Sequence, residues 1–79
     1  MSIKEAVVAR FQSICDSRGI KINEMATLSG VTPSTAYSMM DCRRKEISIR
    51  TIKRFCDGLD IDLKEFFDDP VFLDLDSEV

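Results

Sequence analysis

Apolar residues along this chain recur at three- and four-residue steps rather than in alternation, a spacing that predicts helices and no strands. The first stripe is Ile3, Val7, Phe11, Ile14 and Cys15. Ser2 and Glu5 form a capping-box pair before it and Gly19 stops it, so a helix is expected over about Ile3 to Arg18. Ile22, Met25, Ala26 and Ser29 repeat the spacing over a shorter stretch, with an alanine at the inner position small enough to admit a crossing helix. Gly30 closes that stretch because a residue without Cβ takes positive φ freely, and Val31 supplies an apolar anchor directly after it. Thr32 offers an N-cap hydroxyl, and Pro33 is a first-turn residue whose missing N–H costs nothing there. The helix they start runs to about Met40. Ala36 and Met39 face inward beside Val31, and Ser34, Thr35, Tyr37, Ser38 and Asp41 are left on a polar outer face.

Two further helices follow from their caps. Ser48 precedes Ile49, Ile52, Phe55, Cys56 and Leu59, an inward stripe at helical spacing. Asp62 with Glu65 repeats the capping box, Ile61 can staple to Phe66, and Phe66 with Phe67 closes the core before Pro70 ends the segment. The Phe and Met residues are read as core packing; they call for no cofactor.

The two short helices either side of the Gly30 corner, INEMATLSGVTPSTAYSMMD, have the form of a helix-turn-helix. This segment resembles the Cro/phage-repressor type of helix-turn-helix domain, with Ala26, Gly30, Val31, Thr32 and Ala36 matching the pattern of small residue, corner glycine, apolar anchor, cap and inner apolar. The run SIRTIKRFCDGLDIDLKEFFDDP resembles the fourth and fifth helices of small bacterial members. The resemblance implies an all-α, five-helix, lambda-repressor-like fold over residues 1–70, with the helix-turn-helix formed by the second and third helices, and a tail of acidic and apolar residues over 71–79. The chain departs from the family pattern at three positions. Ile22 stands where a phosphate-reaching Gln is frequent, Lys21 where a Ser or Thr cap is, and Asp60 where Gly is usual.

Composition narrows the function classes. A chain of 79 residues holds one small domain, and no apolar run approaches the roughly 18 residues a membrane span needs, so a soluble cytoplasmic protein is expected. Cys15, Cys42 and Cys56 are odd in number and there is no His, which suggests neither a disulfide framework nor a zinc site. Cys15 and Cys56 fall on apolar stripes and read as small buried hydrophobes. Cys42, beside Arg43 and Arg44, is the one candidate for an activated thiol. Without His, a metal-ligand cluster, a Gly-rich phosphate loop or a base partnered to a serine, nothing assigns catalysis, and the chain is not read as an enzyme.

The net charge of −3 is unusual for a DNA-binding protein, but its distribution answers the objection. Up to Cys56 there are 10 basic and 5 acidic residues; beyond it Lys64 stands against 9 acids. The helix-turn-helix half is therefore positive and the far end negative. The expected mechanism places the Thr32–Met40 helix in the major groove of double-stranded DNA, N-terminus first, with Thr32 and Pro33 at its entry. Base reading falls to Ser34, Thr35, Tyr37, Ser38 and Asp41, and backbone contact to Arg43, Arg44 and Lys45 with Lys21 and Asn23. Hydroxyls discriminate bases less sharply than a bidentate Arg or Gln, so modest specificity per domain and a salt-dependent affinity are expected. A transcriptional repressor, binding as a homodimer to a two-fold-related operator, is the leading reading. The alternative is an antitoxin-like or other protein-interaction module on the same fold, using the acidic C-terminal surface. For the tail, packing back, joining a partner and fraying are all open, with Phe72, Leu73 and Leu75 as candidates for a partner surface.

Overall fold

In the computed structural model, which describes residues 1–77, the local signals resolve into five α-helices: α1 (Ile3–Arg18), α2 (Ile22–Leu28), α3 (Pro33–Met40), α4 (Ile49–Leu59) and α5 (Leu63–Phe67). A single 3-10 turn, η1 (Pro70–Phe72), follows them, and no strand occurs among the described residues. Each long helix starts on the cap that its sequence offers. Ser2 Oγ accepts from the Glu5 N–H while the Glu5 carboxylate accepts from the Ser2 N–H, and Thr32 and Ser48 hydroxyls accept from the N–H three residues on. Asp62 does the same for Glu65, although the structure shows only that forward half of the second capping box.

Three helices end in the same way. After α1, α2 and α4 the chain turns through a left-handed residue, Gly19 (φ 66°), Gly30 (φ 69°) and Asp60 (φ 58°). The next residue, Ile20, Val31 or Ile61, returns its N–H to the carbonyl of Cys15, Ala26 or Cys56, each bond at 3.0 Å. These are Schellman closures, in which an apolar residue just past the left-handed position folds back over the helix it leaves. Asp60 is the sole non-Gly residue with positive φ among the described residues, and its closure has the bonding of the two glycine closures.

The core gathers Val7, Phe11 and Cys15 of α1, Met25 and Ala26 of α2, Ala36 and Met39 of α3, Ile52, Phe55 and Cys56 of α4, and Phe66 of α5. Phe11 stands at its centre, 4.6 Å from Phe66 and 5.8 Å from Phe55 between ring centroids, the latter edge-on. Ala26 and Ala36 are fully buried where α2 and α3 pack together. Gly58 brings α4 onto the end of α2: a Cβ there would lie 2.3 Å from Ser29 Oγ and 2.7 Å from Ser29 Cα.

The structure revises three expectations about facing. Ile49, expected on the inward stripe of α4, is 58% exposed, because the first turn of α4 projects past the core. Lys4 rather than Ile3 heads the buried stripe of α1, and Ile3 is only half-buried. Phe72 is not a free partner surface: it packs 5.0 Å from Phe67 and 5.8 Å from Phe66, so the beginning of the tail folds back on the helices. Leu73 is 85% exposed and Leu75 is also exposed. The last two tail positions, Glu78 and Val79, lie outside the described residues.

Two arginines secure the C-terminal helices. Arg10 donates from Nε to the carbonyl of Phe66 (2.7 Å) and from Nη2 to that of Glu65 (2.9 Å), and it also pairs with Asp69 at 3.3 Å. Arg18 donates to the carbonyl of Leu59 at 2.6 Å. Both cations thus sit at helix C-termini, where unsatisfied carbonyls and the helix dipole favour positive charge. Burial raises both core thiols, that of Cys56 to about 11, which keeps them protonated and unreactive.

Candidate nucleic-acid interface

The Gly30 closure sets the corner between α2 and α3. With Gly30 in the left-handed region, its N–H bonds the carbonyl of Thr27 and that of Val31 bonds Ala26, after which Thr32 opens α3 in extended conformation. Pro33 occupies the first turn. Thr32 Oγ1 is the hub of this start: it accepts from the Thr35 N–H at 3.3 Å and lies 3.1 Å from Ser34 Oγ and 3.0 Å from Thr35 Oγ1. Thr32, Ser34 and Thr35 are all exposed, yet their hydroxyls already satisfy one another. Further along the same helix, Tyr37 is 55% exposed and Ser38 is exposed, and neither hydroxyl has a partner among the described residues. Tyr37 and Ser38 are therefore the side chains of α3 most available to a polar ligand.

The loop after α3 divides its charges. Asp41 accepts from the Arg43 backbone N–H (3.0 Å) and is bound in a fork by the Arg43 guanidinium, whose Nε and Nη2 lie 3.0 and 2.9 Å from its two oxygens. This pairing holds the Asp41 carboxyl at about 2, well below the usual carboxylate range. Asp41 is thereby occupied and half-buried rather than presented on the outer face, and the charge of Arg43 is partly neutralised. Arg44 and Lys45 are exposed and form no ion pair among the described residues. Lys21 and Asn23 are exposed at the start of α2, where Lys21 supplies the cap position without a side-chain hydrogen bond.

One residue of α1 also borders this surface. Lys4, 2% exposed, lines a cleft shared with Thr35 and Ser38 of α3, Arg44 of the loop, and Ser48 and Thr51 of α4. Its signal in the sequence is its position three residues before Val7 and seven before Phe11, on the buried side of α1.

The arrangement is a polar helix surface flanked by cations, with no cluster of His, Cys, Asp and Glu able to hold a metal among the described residues. Comparison with known proteins points to the same chemistry. A family model described as the Cro/C1-type HTH DNA-binding domain matches residues 10–70. The crystal structure of the prophage Lp1 protein 11 is similar at 32% sequence identity and a TM-score of 0.79, over 95% of this chain and 100% of that one. No curated protein matches the chain.

Proposed function

The chain belongs to the Cro/C1-type helix-turn-helix family of DNA-binding regulators, and from that premise we propose that it is a repressor whose α3 enters the major groove of a two-fold-related operator. The observation that carries this reading is the outer face of α3. Tyr37 and Ser38 are exposed and unengaged there, with Arg44 and Lys45 exposed in the loop that follows α3 and Lys21 exposed at the start of α2. Base edges fall to Tyr37 and Ser38, with Ser34 and Thr35 contributing after exchanging bonds within the Thr32 cap. Phosphates fall to Arg44, Lys45, Lys21 and Asn23, with Arg43 joining them at the cost of its fork to Asp41. One such helix reads only a few base pairs, so a homodimer on paired half-sites supplies the site length that repression by promoter occlusion needs. Residues 1–70 form the DNA-binding unit in this reading.

The test is selection of duplexes from a random pool at low salt, followed by titration of the retained sequence against salt. Retention of a two-fold-related motif is expected, with affinity falling steeply as salt rises. The double variant Arg43→Ala/Arg44→Ala should weaken binding and flatten that slope by about 1–2, so that the affinity lost between 50 and 200 mM salt shrinks by roughly threefold for each contact removed. If no duplex is retained even at low salt, the repressor reading fails and the acidic C-terminal surface becomes the place to seek a protein partner.

A further inference from the structure

We propose that the cleft between the first turn of α1, α3 and the first turn of α4 seats one backbone phosphate of bound DNA, with Lys4 as its recessed cation. The proposal rests on the DNA-binding reading above and adds to it a residue outside the helix-turn-helix. The cleft holds about 250 Å³ and is open to solvent. Lys4 is 2% exposed, and among the described residues its ammonium has neither a carboxylate within ion-pairing distance nor a hydrogen-bond acceptor. Ser29 Oγ is the one fully buried side-chain polar atom without a partner among the described residues, so the Lys4 ammonium, itself unpartnered, keeps an opening onto the cleft through which an anion can pair with it. The aliphatic stem continues the stripe of Val7 and Phe11, both fully buried, so the charge is presented with little side-chain freedom to lose.

The surroundings suit an oxyanion of DNA. Arg44 on the cleft is a second cation without an ion-pair partner. Ser48 and Thr51 place the first turn of α4 at the cleft; Ser48 Oγ already accepts from the Thr51 N–H, which fixes that turn before any ligand arrives. The N-terminal end of a helix favours negative charge. Glu46 is the one carboxylate on the cleft, opposed by two cations. Thr35 and Ser38 belong to both the cleft and α3, so a phosphate held here borders the groove that α3 enters.

The experiment compares wild type with Lys4→Met, which keeps the length of the buried stem and removes the charge, on the selected duplex. Far-UV circular dichroism and melting establish the fold of the variant. Ethylation interference on the wild type should reveal a phosphate whose modification blocks binding. In Lys4→Met that position should cease to matter, the salt slope should fall by about 0.9, and affinity should drop by roughly threefold to tenfold at every sequence alike. Arg44→Gln, on the same cleft, should weaken the signal at the same phosphate, and it provides the reading if Lys4→Met does not fold. An unchanged ethylation pattern in a folded Lys4→Met overturns the proposal, even where affinity falls, because a merely structural lysine would leave every phosphate contact in place. Failure of the wild type to bind any duplex overturns both this proposal and the regulator reading, whereas binding with an indifferent Lys4 overturns this one alone.

Discussion

At Gly58 the missing side chain is what lets α4 lie against α2. The nearest atoms to an added Cβ include the backbone N and Cα of Ser29, at 2.8 and 2.7 Å, so the obstruction is not the tip of a flexible chain that could swing aside. Gly58→Ala gains about 1 kcal/mol of helix propensity and loses about 1–3 kcal/mol to overpacking, with the backbone clash placing the loss at the upper end. A net destabilisation of about 1–2 kcal/mol is expected, read as a lower urea midpoint; a variant as stable as wild type would show that α2 and α4 can separate freely. Neither Gly58 nor Lys4 stands out in the sequence. Glycine inside a helical pattern and lysine near a helix start both look like ordinary surface choices, and what makes them consequential is a neighbour distant in the chain. Ala26 and Gly30 are legible because their reasons lie within a few residues of themselves.

At the level of elements, the starts of the helices are the most local feature of the fold. Ser2, Thr32, Ser48 and Asp62 each bond an N–H three residues later, and each can be recognised without knowing anything else about the molecule. The endings are legible at Gly19 and Gly30 but not at Asp60, where a left-handed residue with a side chain leaves no such mark. Nor does periodicity say how far along a stripe its cover extends, which is why Ile49 emerges into solvent although it keeps the spacing of Ile52 and Phe55. Thr32 carries the start of α3 alone, since the hydroxyls of Ser34 and Thr35 both gather on it. Thr32→Ala should cost about 1 kcal/mol and release those two hydroxyls. Faster amide exchange at Thr35, with the exchange of α1 amides unchanged, is the expected signature, and unaltered exchange at Thr35 would contradict this account of the cap.

Over the whole molecule, the separation of charge visible along the chain survives folding in altered form. Arg10 and Arg18 belong to the basic half in sequence but are consumed on the carbonyls of α5 and α4, and Lys53 pairs with Asp57. Arg43, Arg44 and Lys45 remain in the loop directly after α3, and Lys4 shares a cleft with Thr35 and Ser38 of that helix. The longest dimension of the molecule is 35 Å, close to the screening length of about 30 Å at 0.01 M salt and far beyond the roughly 8 Å at physiological ionic strength. Asp68 and Asp74 are exposed and their carboxylates form no ion pair among the described residues. Asp68→Asn/Asp74→Asn should therefore tighten binding to random duplex at about 0.01 M salt and leave it unchanged near 0.15 M. Equal effects at both concentrations would mean that these carboxylates act by contact rather than through the long-range field.

The division of labour within α3 has a consequence for how such a protein changes over generations. Thr32, Pro33, Ala36 and Met39 build the helix and anchor it, whereas Tyr37 and Ser38 neither cap it nor enter the core. Mutations at the two outward positions can drift or be selected with little penalty in folding, since exposed substitutions away from caps and cores usually shift stability by about 0.5 kcal/mol or less. A lineage carrying this scaffold can thus acquire a new target while the fold that presents the reading surface is inherited intact.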